Sequence, residues 1–161
     1  LLVVVATVAA LLIVAGCGGS GDSSGGSEVT AQTGSLSKDE FVKKADAICE
    51  AARTEFLAKY TSFVEAHKAD IGNAQKEKEL IGEMVETLLA PNIEGQVEQI
   101  SELGAPNAYA PEATSFLSAL QKRVDELQGN PTEVSATPYP FKKAEDIAAK
   151  AGMKGCAESF G

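Results

Sequence analysis

The chain has 161 residues, enough for one domain, with 44% apolar residues, 6% aromatics and no Trp, so a core is expected and its bulk should be aliphatic. Such a composition suits helices better than a β-sandwich. A formal charge of −9 argues against binding nucleic acid or anionic headgroups by long-range attraction. The charge is uneven: residues 71–137 hold 11 carboxylates against 4 cations, a balance of −7, whereas residues 36–70 stand at −1 and residues 138–161 at +1. An acidic middle fits a solvated helix face, or a surface for cations or a basic partner.

Residues 1–15 carry no charge and no helix breaker. A run of this length fits the apolar region of a signal peptide and is short for a membrane span, which needs about 20 residues. With no basic region ahead of it, the signal sequence is read as already under way at Leu1. Val14-Ala15-Gly16-Cys17 follows and resembles the lipobox of bacterial lipoproteins. The resemblance implies cleavage after Gly16 and a diacylglycerol on Cys17. Two or more acyl chains hold a protein more firmly than one, each buried CH₂ adding roughly 0.8 kcal/mol. The competing readings are an ordinary secretory leader or an uncleaved anchor helix with an incidental cysteine. Residues 18–35 are nearly all small or polar, cannot offset their ordering entropy by burial, and are expected to form a disordered tether. As a flexible coil it would reach roughly 20–25 Å. The expected organisation is a signal peptide over 1–16, a lipidated cysteine and tether over 17–35, and a helical domain over 36–161.

The first helix of that domain is predicted from about Lys38 to His67. Ser37 and Glu40 form a capping box, Leu36 and Phe41 a hydrophobic staple. Phe41, Ala45, Ile48, Ala52, Phe56, Tyr60 and Phe63 then mark one apolar face at spacings of three and four. A second helix covers about Ala74 to Leu103. It carries Leu80, Ile81, Met84, Val85, Leu88 and Leu89, is kinked or split at Pro91, and resumes with Ile93, Val97 and Ile100. Gly104 reads as its C-terminal cap, with Pro106 beyond. A third helix runs from about Tyr109 or Pro111 to Leu127, stopped by Gly129 and Pro131. After a proline-rich loop over 130–139, a short helix starts near Pro140 and ends at Gly152. No stretch alternates with the two-residue period of a half-buried strand. The fold class is therefore all-α: a small antiparallel bundle of three long helices, the second kinked at a proline, plus a short C-terminal helix.

With Cys17 assigned to lipid, Cys49 and Cys156 form an even pair in an oxidising compartment and are expected to make one disulfide. Metal ligation by the pair would have only His67 as a further nitrogen ligand, and a redox pair would have the Cys-x-x-Cys spacing.

Leu36-Ser37-Lys38-Asp39-Glu40-Phe41, leading to Ala45-Asp46-Ala47-Ile48-Cys49, resembles the start of a group of small exported helical proteins common in actinobacteria. Leu103-Gly104-Ala105-Pro106 is similar to a turn between central helices in that group. Pro140-Phe141, Gly152 and Cys156 are similar to its closing helix. The resemblance spans nearly the whole mature domain, departs in the short tail after Cys156, and implies compartment, disulfide and fold. The group lends no activity.

Motifs for chemistry are missing from the sequence. His67, the one histidine, lies among Glu65, Lys68 and Asp70, and position 64 is Val, so no Glu-x-x-His pair exists. There is no Gly-x-Ser-x-Gly and no His-Glu-x-x-His. The acidic pairs Glu83 with Glu86 and Asp125 with Glu126 read as solvated helix residues. The chain is thus expected not to be an enzyme and to hold no metal or cofactor. Its expected role is that of a lipid-anchored protein on the outer face of the cell membrane, serving as an interaction or structural module toward an envelope protein or wall polymer. The alternative is a carrier for an apolar small molecule held between helices around Pro91. The apolar faces look just sufficient to fill a bundle.

Overall fold

A computed structural model describes residues 29–135 and 140–160. The leader, Cys17 and residues 18–28 lie outside the described residues. The first long helix, α1, is Lys38–Ala66. It starts where a capping box fixes it: Ser37 Oγ accepts the Glu40 N–H at 3.3 Å, and the Glu40 carboxylate accepts the Ser37 N–H at 3.0 Å. These bonds hold the Glu40 carboxyl below its usual range. Leu36 packs half-buried against the core, and Phe41 is fully buried.

Asn73 caps α2, Ala74–Met84, by accepting the Gln75 N–H at 3.0 Å. The helical path continues through a π-helical turn, Val85–Leu89, into α3, Ala90–Glu102. Pro91 explains the turn. Its ring would crowd the carbonyl four residues back, and it has no N–H to donate there. Widening the ladder so that the Ala90 N–H reaches the Val85 carbonyl accommodates that loss. After Gly104, whose φ of +68° ends the helix as only glycine does freely, α4 spans Ala110–Gly129. A 3₁₀ turn, Pro131–Ser135, follows inside the segment expected to be loop. The chain closes with α5, Lys142–Ala151, and a single helical turn α6, Lys154–Ala157, which carries Cys156. Among the described residues the only extended pairing is an isolated parallel bridge between Thr33 and Ala105.

The core lies where α3, α4 and α5 meet the first half of α1 and the α6 turn. Ile93, Ile100, Leu117, Leu120 and Leu127 are fully buried in it, but so are Phe41, Phe116 and Phe141. The bulk of the core is aliphatic, as expected, and the phenylalanines add to it. These three rings sit at its centre, where their large surfaces gain most from leaving water, whereas Phe56, Tyr60 and Phe63 lie outside it.

A correction concerns the expected tether. The segment Val29–Ser35 is docked: Ala31 is buried and its N–H donates to Thr114 Oγ1 at 3.1 Å, while Ser118 Oγ donates to the Val29 carbonyl at 2.9 Å. The Ala105 N–H donates to the Gln32 carbonyl at 2.7 Å, and the Gly34 N–H to the Ala105 carbonyl at 2.9 Å. Folded contacts therefore begin before the boundary expected at residue 36. Small residues, read as unable to bury surface, are what this contact requires: a Cβ on Gly34 would lie 2.4 Å from the Gly104 carbonyl oxygen.

Candidate functional site

The molecule is closed at one end and open at the other. At the closed end Cys49 and Cys156 form a disulfide across 107 residues, and both are fully buried. Asp46, one turn before Cys49, accepts the Cys156 N–H at 3.0 Å. Gly155 lies so close that a Cβ there would stand 2.9 Å from Asp46 Cβ. The sequence pointed to the cysteine pair, and the structure joins it. It put Asp46 in the motif before Cys49 but gave no sign of its contact, because a carboxylate on a helix face looks the same whether it meets water or a backbone amide from 110 residues away.

Tyr109 braces the same end. Its hydroxyl donates to the Ala151 carbonyl at 2.7 Å, its ring meets Phe41 edge-on at 5.6 Å, and Lys38 Nζ sits 4.8 Å above the ring. Burial, aided by the charges of Glu112 and Asp46, pushes the phenol up to about 12. The group stays neutral and structural.

At the other end the apolar face of α1 outruns its partners. Close backbone neighbours of α1 are α3 and α6, whereas α2 leans on the π turn and on the 3₁₀ turn. No residue of α2 is buried. Phe56 and Phe63 are half-buried, Tyr60 is 40% exposed and Leu57 50%. Between distal α1 and α2 lies an open cleft of about 610 Å³. Tyr60, Phe63 and Val64 form one wall, Leu80, Ile81 and Met84 the other, with Ile71 at the connecting turn and Val134 from the 3₁₀ turn. Ile71 is 54% exposed. Glu77 is the only charged side chain in the lining. The surface expected to be just filled is in excess here.

A second hollow, about 290 Å³, lies beside Pro91, where an apolar carrier site was expected. Its lining includes Glu55, Lys59, Thr87, Asn92 and Gln99, and Asn92 donates across it to the Ala52 carbonyl at 3.0 Å. Ile48, Ala51, Ala52, Leu88 and Pro91 supply its apolar side. The more apolar space lies nearer the turn between α1 and α2.

No family model, curated protein or solved structure matches the chain. A functional reading must therefore come from the residues. His67 ends α1 with its imidazole against the Phe63 ring at 4.4 Å and Glu83 Oε1 3.5 Å from Nε2, so it ties α1 to α2 beside the cleft. Of the acidic pairs, Glu126 engages Arg123 at 2.7 Å and Asp125 accepts from Gln121 at 2.9 Å. Among the described residues no group of three or more His, Cys, Asp or Glu is placed to hold a metal ion. No described helix is long and apolar enough to cross a membrane. What the cleft offers chemically is apolar contact, two aromatic faces and one carboxylate.

Proposed function

We propose that the chain is a lipoprotein anchored through Cys17 on the outer face of the cell membrane, belonging with the exported actinobacterial proteins it resembles. Its helical domain acts as an interaction module of the envelope and not as an enzyme. In this reading the domain is an antiparallel bundle whose second long helix bends at the π turn before Pro91, which splays α2 from α1. One observation carries the interaction role: the apolar cleft between distal α1 and α2 leaves Tyr60 and Ile71 exposed among the described residues. A soluble domain keeps such a surface out of contact with water when a partner covers it. The buried disulfide supports an oxidising compartment.

A carrier for an apolar small molecule is the second reading, favoured by the cleft's volume, which falls in the range of small-ligand sites. Against it stands the openness of the trough, since small-ligand sites bury most of the ligand's surface. Native mass spectrometry of the full chain, released from its own membranes in mild detergent, tests both. An acylated mass beginning at Cys17, with a protein or wall polymer retained, is the expected result. A retained lipid or other small apolar molecule would move the assignment to the carrier, and an unacylated chain with its leader intact would overturn the anchored module.

A further inference from the structure

We propose that the cleft between α1 and α2 takes a cationic amphipathic helix from a partner protein. The inference rests on the interaction role above and names the partner's chemistry. The first argument is shape. Along α2, Glu77, Leu80, Ile81 and Met84 face the cleft at helical spacing, a length of roughly 10 Å at 1.5 Å per residue. Two turns of an incoming helix fit that length and would present anchors at i, i+3 or i+4, and i+7. Phe63 and Tyr60 offer broad faces opposite, and Met84 is an adaptable contact.

The second argument is charge. Glu77 has no cation within ion-pair distance among the described residues, although it sits in an apolar lining. The lysines around the cleft are already engaged: Lys59 with Glu55, Lys68 with Glu65 and Lys76 with Asp70. Lys78 projects about 100° around α2 from Glu77. Residues 60–89 hold 6 carboxylates against 3 lysines, a balance of −3, inside a chain of −9. An apolar trough with a negative field selects a greasy stripe flanked by Lys or Arg. A second copy brings −9 of its own, anionic lipid is repelled likewise, and a sugar polymer finds no array of polar partners in this lining.

The test uses the full chain in phosphatidylcholine nanodiscs, with empty nanodiscs as background. The probe is a fluorescent Leu/Lys peptide of about 18 residues, five turns of helix. A twin peptide carries Glu in place of Lys. Saturable binding of the Lys peptide is expected, with the Glu peptide about tenfold weaker or worse. Ile71→Asp and Glu77→Lys should each weaken it by about tenfold, whereas Glu98→Lys, the same charge change at an exposed position of α3, should change it less than about twofold. Both cleft positions are solvent-exposed, so unchanged melting curves are expected to accompany the loss. The proposal is overturned by equal binding of the two peptides, by binding indifferent to Ile71→Asp, or by no binding. It is also overturned if phosphatidylglycerol vesicles, or a second copy in sedimentation, engage the chain in a manner abolished by Ile71→Asp. Failure with acylation at Cys17 intact rejects the cationic helix alone. Loss of acylation with peptide binding intact rejects the location and leaves the cleft.

Discussion

Tyr109 shows how much one side chain can organise, and how little of that the sequence reveals. Its hydroxyl spans 42 residues to the Ala151 carbonyl while its ring receives Phe41 and Lys38. Tyr109→Phe keeps the ring and leaves a buried carbonyl without its donor, so unfolding free energy should fall by about 1–3 kcal/mol in denaturant titrations. The pH dependence has a definite sign. The folded phenol is raised from 10.0 to about 12, so the neutral form's contribution is complete below pH 10 and fades between there and about 12. Tyr109→Phe should flatten that alkaline decline, and an unchanged decline would assign it to other groups. The Ser37–Glu40 box, by contrast, was legible because every atom in it lies within four residues. Tyr109 and Asp46 were not, because their partners come from the far end of the chain.

At the scale of elements, periodicity located α1, α4 and α5 within a few residues, since each buries one face against the core. A kink or break was expected at Pro91; the structure shows a π turn, Val85–Leu89, just upstream, whose form depends on which carbonyl the displaced N–H can reach. The largest misreading was Val29–Ser35. Composition reports that a segment cannot build a core of its own; it does not report that a groove beside α4 suits small residues. Gly104→Ala tests this element. It combines an αL strain at φ +68° with a Cβ placed 2.8 Å from Gly34 Cα. The expected result is a loss of about 1–3 kcal/mol and release of Val29–Ser35, seen as faster amide exchange at Ala31 and Gly34. Unchanged protection there would show that the segment is held by α4 alone.

For the whole molecule the governing feature is asymmetry. One end is locked by a buried disulfide, by Asp46 and by Tyr109, and the other leaves apolar side chains of α1 and α2 facing a trough. The sequence identified the apolar faces, yet a helical period states which side of a helix is greasy and not whether a neighbour reaches it. That is why Tyr60, placed on the apolar face of the first helix, turns out 40% exposed, with Leu57 and Ile71 exposed beside it. Cutting the clamp should be costly. Replacing Cys49 and Cys156 by Ala removes a link across 107 residues and should destabilise the chain by roughly 2–5 kcal/mol, read from paired thermal melts. The loss should concentrate in α5 and α6, with α3 and α4 retaining most of their exchange protection below the melt.

The proposed anchoring of this asymmetric domain at a membrane rests on a single sulfur, that of Cys17, and an alkynyl palmitate fed to cells reads that directly. Label should enter the wild-type chain and vanish in Cys17→Ala, with the variant leaving the membrane fraction. Label in both, or in neither, would contradict the account.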